Sequence, residues 1–127
     1  MRLLLDTHVL LWALGDPSRL SDRAVAAITD PTNEVYASAV NALEIAIKQS
    51  LGKLELPGPA EQWLPGALAQ THIDWLPITH RDALEVRALP WHHRDPFDRL
   101  LVAQARAGFV LVTHDKRLEA YRVPILR

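Results

Sequence analysis

Four carboxylates stand where this chain should be apolar: Asp6, Glu44, Asp98 and Asp115. Asp6 closes the hydrophobic run Leu3-Leu4-Leu5, and Asp115 follows Val110-Leu111-Val112 with only Thr113 and His114 between. Glu44 lies at helical spacing from Val40, Ile47 and Leu51, and Asp98 at helical spacing from Leu101, Val102 and Ala105. Carboxylates are seldom placed so without a partner, because an uncompensated buried charge is expensive. If the fold gathers them, their mutual repulsion calls for a proton or a cation. Mg²⁺ takes oxygen ligands and commonly bridges to phosphate, so it is the fitting occupant, and phosphodiester chemistry is the reaction such a centre serves.

Each acid also has a plainer reading. Asp6 can accept from the start of the helix that follows it, Glu44 can snorkel from the edge of its stripe, and Asp115 can cap a short helix over Lys116 to Tyr121. Asp95 and Asp98 flank Pro96 as an N-cap and third helical position, and for Asp95 the capping role is the expected one. All four plain readings would have to hold together to dissolve the cluster.

The elements that must position these acids alternate along the chain. Arg2 to Leu5 reads as a short buried strand, and His8 to Leu14 as a helix stopped by Gly15 and Asp16-Pro17. Ser21 caps a helix to about Thr29, and Glu34 to Ala37 is a second strand. Ser38 caps a longer helix through Ser50, closed by Gly52. A helix from about Ala60 to Thr71 should bend or break at Pro65, and Trp75 to Ile78 is a third strand. Thr79 with Asp82 opens a helix ending before Pro90, and Pro96 opens another running to Gly108. Phe109 to Val112 is a strand, and Val123 to Leu126 an apolar tail.

This order implies a three-layer α/β/α sandwich around a central, mostly parallel sheet, forming a single domain over residues 1–127. In such sheets ligands bind beyond the carboxyl ends of the strands, where Asp6 and Asp115 fall. Asp98, in the first turn of its helix, faces the same edge in a right-handed crossover. Glu44, deeper in its helix, needs a tilt to reach it.

Bulk composition sets the frame. With 127 residues, 49% hydrophobic and 23% charged, the chain has enough apolar material for one core. The absence of cysteine removes disulfides and thiolate chemistry and fits a reducing cytoplasm. The N-terminal apolar run is too short for a signal peptide, and no stretch reaches the ~20 apolar residues of a membrane span. A net charge of −1 means that any nucleic acid must be held by local basic groups or through metal.

Four segments then carry a resemblance: Leu3-Leu4-Leu5-Asp6-Thr7-His8, Ser38-Ala39-Val40-Asn41-Ala42-Leu43-Glu44-Ile45, Asp95-Pro96-Phe97-Asp98-Arg99-Leu100-Leu101-Val102-Ala103 and Leu111-Val112-Thr113-His114-Asp115. In their order and spacing the chain resembles PIN-domain proteins, specifically the VapC-type toxins of toxin–antitoxin pairs. The resemblance implies a Mg²⁺- or Mn²⁺-dependent endoribonuclease that halts translation, a cognate antitoxin and a homodimer. It implies that Asp6, Glu44, Asp98 and Asp115 form the catalytic quartet, with Thr7 and Thr113 as hydroxyls beside the metal site. Two departures stand out: His8, where many members carry Asn, and the extra acid Asp95, found in a subset.

On this reading Asp6, Asp98 and Asp115 hold the metal and Glu44 completes the negative basin. Arg94, Arg99, Lys116 and Arg117 are candidates for the RNA backbone. His8 and His114 are the histidines best placed to orient water or substrate. Zinc is not expected at His92-His93, since adjacent histidines point apart and no partner set has zinc-ligand spacing. Trp75 should pack in the core, while Trp12 and Trp63 are candidates for an antitoxin groove or dimer contact.

Two rivals remain. A phospho-receiver shares the length and the strand-end acids but uses adjacent acids after its first strand and a late Lys-Pro. Here Asp6 precedes Thr7, and none of Lys48, Lys53 and Lys116 precedes proline. A PIN fold that binds RNA or a partner without cutting is the other, and the full quartet weighs against it.

Overall fold

The leucines of the first strand face alternately opposite ways, and that alternation sets the architecture. In the computed structural model, which describes residues 1–127, β1 (Arg2–Leu5) lies at the centre of a five-stranded sheet. Leu3 and Leu5 join one core with Val35, Ala37, Ile45, Leu64 and Leu68, whereas Leu4 joins a second with Leu101, Val102, Phe109, Leu111 and Leu118. Both faces of the strand are therefore buried, as in parallel sheets with helices on each side.

The strands are β1, β2 (Glu34–Ser38), β3 (Asp74–Leu76), β4 (Val110–Val112) and β5 (Ile125–Leu126), in the order β3-β2-β1-β4-β5, every pairing parallel. α1 (Thr7–Gly15), α2 (Asp22–Thr29) and α4 (Ala60–Gln70) cover one face, and α6 (Pro96–Ala105) covers the other. α3 (Ala39–Ser50) reaches both cores through Ile45 and Val40, and α5 (His80–Glu85) packs on α6. This is the three-layer sandwich that the alternation implied. No helix is long and apolar enough to cross a membrane. The strand order also removes the phospho-receiver, whose sheet runs 2-1-3-4-5.

Several local expectations are met by identifiable contacts. Ser21 accepts from the Ala24 amide at 3.0 Å, and Thr79 and Asp82 bond reciprocally in a capping box. Gly52 closes α3 with φ +70°, a conformation that suits glycine.

Others are corrected. α4 is continuous through Pro65, which removes the expected break there. The carbonyl that proline leaves unbonded belongs to Glu61, which is exposed and open to water. α6 ends at Ala105 rather than at Gly108, β3 begins at Asp74 and ends at Leu76, and the apolar tail contributes a fifth strand. Trp75 is 41% exposed rather than in the core, because β3 is an edge strand. Ile47 and Leu51 are exposed as well, so the buried face of α3 is Val40, Asn41, Glu44 and Ile45.

Candidate active site

Parallel pairing delivers the site. The register that sets Leu5 against Val112 places Asp6 next to Thr113, with the Asp6 amide bonded to the Val112 carbonyl at 3.0 Å. The carboxyl ends of β1 and β4 thus adjoin at the point where the strand order reverses, the usual position of a ligand crevice. A cleft of about 320 Å³ opens there, lined by Asp6, Glu44, Asp95, Asp98 and Asp115 together with Lys48, Lys53 and Arg117. Acids from four separated segments therefore share one cavity.

Each acid is held by donors of the chain itself. Asp6 is buried and accepts from the Thr7 amide at 2.7 Å and the Thr113 hydroxyl at 2.7 Å, with His8 Nδ1 3.3 Å away. Glu44 accepts from the Thr7 hydroxyl at 2.7 Å and from Lys48 at 2.7 Å. The Thr7 hydroxyl accepts in turn from Asn41 Nδ2 at 2.9 Å, inside the core. Asp115 is gripped by Arg117, Nη2 to Oδ2 at 2.6 Å and Nε to Oδ1 at 3.0 Å. Asp98 meets His93 Nε2 at 3.3 Å. The plain readings survive beside the functional one: Asp6, Asp95 and Asp115 all cap the helical turns that follow them.

Thr7 joins two elements, which gives a direct check on the network. Thr7→Val keeps the shape but strands a Glu44 oxygen and the Asn41 amide. We expect a loss of roughly 1–3 kcal/mol, read by urea unfolding in chelator. An unchanged midpoint would show that the bridge does not hold α1 to α3.

The electrostatics separate the acids. Burial is the main cause that pushes the Asp98 carboxyl up to about 7, reinforced by Asp6, Asp95, Glu44 and Asp115. Burial likewise raises Asp6, against the opposing pull of His8, Thr113 and Thr7. Asp115 is held below the usual carboxylate range by the Arg117 hydrogen bond. Lys48 is raised, chiefly by its bond to Glu44.

No three acidic or histidine side chains close into a ready coordination sphere, since the acids are turned to internal donors. The donor set nevertheless fits a hard divalent cation. It is all oxygen, five carboxylates face three cations across the cleft, and Asp98 lacks a full counter-charge. Asp6, Asp98 and Asp115, expected from the sequence as its ligands, all line this cleft.

The basic candidates divide. Arg117 lines the cleft, and Lys116 is exposed beside it. Arg94 lines a separate hollow with Trp91. Arg99 is withdrawn altogether: it is 1% exposed and donates to the carbonyls of Val86, Leu89 and Pro90, so it cannot meet an RNA backbone. Sequence reasoning passed over Lys48 and Lys53 as cleft cations, and over Asn41, His93 and Tyr121. Lys48 was findable, because it sits four residues beyond Glu44 on one helix. His93 and Tyr121 carry no periodic signal. His8 and His114 are both near the acids: His8 contacts Asp6 and accepts from the His114 amide at 3.3 Å.

A carboxylate-lined cleft therefore sits at the switch point of a parallel α/β/α sandwich. The chain belongs to the PIN-domain family, whose family model (PIN domain) matches residues 3–124. It is 37% identical over 123 residues to Ribonuclease VapC22 of Mycobacterium tuberculosis, covering 95% of this chain and 92% of that protein. The fold is shared with VapBC2 from Rickettsia felis bound to a DNA fragment from their promoter, at TM-score 0.73 and 12% identity over 99% of this chain and 98% of that one. It is also shared with FitAcB from Neisseria gonorrhoeae, at TM-score 0.61 and 22% identity over 98% and 96% of the respective chains.

Proposed function

We propose that this protein is a Mg²⁺-dependent endoribonuclease acting as the toxin of a toxin–antitoxin pair, with Mn²⁺ able to replace Mg²⁺. The observation that carries the reading is the single cleft shared by Asp6, Glu44, Asp98 and Asp115. The ribonuclease relative, similar over nearly the whole chain, supports RNA as the substrate. The structural neighbours carry VapBC names, and together with the resemblance to VapC-type toxins this supports an antitoxin partner and, through inhibition of translation, a cytoplasmic role.

When bound, the ion supplies charge to offset the phosphoryl oxygens and makes a water more acidic. Asp6 and Asp98, both buried carboxylates of the cleft, would hold it. Asp115 would complete the set, and because it is now bonded to Arg117, that guanidinium would be the group placed to meet a substrate phosphate. Glu44, tied to Thr7 and Lys48, adds to the negative basin. In-line attack by water leaves a 5′-phosphate and a 3′-hydroxyl, and no protein nucleophile is needed. On α3, Leu43, Ile47 and Leu51 remain exposed at successive helical turns, which supports a protein partner, antitoxin or second copy, over that helix.

Purified protein incubated with total RNA and Mg²⁺, with and without chelator, tests the reading when the cut ends are mapped. We expect internal cuts with 5′-phosphate ends that chelator abolishes. Cutting that persists in chelator, or a preparation that cuts DNA and leaves RNA intact, would overturn it.

A further inference from the structure

His93 is 8% exposed at its side chain, yet it comes from the irregular stretch between Pro90 and Pro96. Its two ring nitrogens have different partners. Nε2 lies 3.3 Å from Asp98 Oδ2, and Nδ1 lies 2.7 Å from the Tyr121 hydroxyl. That hydroxyl also lies 3.3 Å from Arg99 Nη1.

Donor and acceptor roles follow from inventory. Arg99 can only donate, so the Tyr121 oxygen accepts from it and has one proton to give. Of its two acceptors, His93 Nδ1 at 2.7 Å is far closer than the His93 carbonyl at 3.5 Å, and giving the proton to Nδ1 places the ring proton on Nε2, aimed at Asp98. The chain of donors runs Arg99 to Tyr121 to His93 to Asp98. Its far end is anchored: Arg99 is fixed by the carbonyls of Val86, Leu89 and Pro90 and stacks on Trp91 with Cζ 3.8 Å from the ring centroid. Asp98 Oδ1 makes no hydrogen bond within the chain, so the relay occupies one oxygen and leaves the other to the cleft.

We infer that His93 is a positioning residue for Asp98: held by Tyr121 and Arg99, it turns the Asp98 carboxylate so that one oxygen is presented to the divalent cation. The inference rests on the proposed metal-dependent reading and deepens it, because it assigns Asp98's orientation to a residue from a different segment. It also gives the buried Arg99 a purpose. The guanidinium serves the site from behind, through Tyr121, and does not contact substrate.

The test measures Mn²⁺ binding by calorimetry for the wild type, His93→Ala, His93→Gln and Tyr121→Phe, beside cleavage titrated with Mn²⁺. Outer-sphere partners of metal ligands typically change affinity 10–100-fold. We expect His93→Ala to weaken Mn²⁺ binding within roughly that range. His93→Gln keeps an amide donor near Nε2 and should recover part of the loss, and Tyr121→Phe should fall between. Cleavage should shift to higher Mn²⁺ and largely recover its maximal rate at saturation, which a purely structural defect would not do. If His93→Ala does not fold, His93→Gln and Tyr121→Phe carry the same comparison. Wild-type affinity in the folded variants overturns the inference alone, whereas a wild type that binds no divalent ion removes the proposed function with it.

Discussion

Asp98→Asn is expected to abolish RNA cleavage while making the metal-free protein more stable. Loss of a ligand that holds the ion removes several kcal/mol of transition-state stabilisation, so the rate should fall by roughly 10³-fold or more. The gain in stability comes from the same crowding that favours a cation. In the absence of metal, the native state holds a proton on Asp98 up to about pH 7, whereas the unfolded chain releases it near 3.8. The folded state therefore binds more protons through that window, and stability falls as pH rises from about 4 to 7. Above pH 7 the penalty is complete, with an upper value of about 4 kcal/mol for a shift of roughly three pH units. The amide carries no charge and escapes it, and its oxygen can still accept from His93. Asp115 does not blur the comparison. Its carboxyl is depressed, so its contribution is lost only as pH falls below the ordinary carboxylate value.

The measurement is thermal unfolding in chelator at pH 4.5 and pH 8. The two proteins should melt together at the lower pH, and the variant should melt several degrees higher at the upper one. Saturating Mn²⁺ should reverse the order at pH 8, because only the wild type gains from binding. A variant that is less stable than the wild type in chelator at pH 8 would mean that Asp98 is already compensated, and the case for a cation there would lose its electrostatic basis.

How much of this was legible beforehand depends on the kind of signal. Leu3-Leu4-Leu5-Asp6 is a buried strand with an acid at its carboxyl end, and period and position suffice to read it. Asp98 was equally open, since Leu101, Val102 and Ala105 on its face are all buried. Glu44 was read correctly as inward, but only Val40 of its three expected companions is buried with it. Ile47 and Leu51 are apolar and exposed, while its true neighbour on the inner face is polar Asn41, bonded to Thr7. Hydrophobic periodicity cannot tell a stripe that meets the core from one that meets something outside the chain.

Arg99 was misread for a related reason. An arginine is taken as exposed by default, and only tertiary structure reveals the three carbonyls that hold it. His93 and Tyr121 are 28 residues apart and come from irregular or 3₁₀ segments, so no repeat in the sequence joins them. The two-residue strand β5 needed β4 beside it before an apolar tail could become a strand.

Asp6→Asn should be as inactive as Asp98→Asn and yet gain no stability, although both changes replace a carboxylate by an amide in one cleft. The difference lies in what surrounds the oxygens. Asp6 Oδ1 accepts from the Thr7 amide, and Oδ2 accepts from Thr113 with His8 Nδ1 close by. His8 Nε2 accepts from the His114 amide, so in the neutral ring Nδ1 carries the proton and also points at Asp6 as a donor. An asparagine must place its NH₂ either against the Thr7 amide or against Thr113 and His8. The first sets donor against donor at the Thr7 amide, and the second does so at His8 Nδ1, although the Thr113 hydroxyl can turn to accept. Losing the charge relieves the desolvation that raises Asp6, but an unmatched buried pair costs about 1–3 kcal/mol and offsets that relief. In chelator at pH 8, Asp6→Asn should melt at or below the wild type and well below Asp98→Asn, with cleavage reduced by roughly 10³-fold or more. If both variants gained the same stability, the hydrogen-bond inventory around Asp6 would be wrong. If Asp6→Asn retained metal-dependent cleavage, Asp6 would be a helix cap and no more.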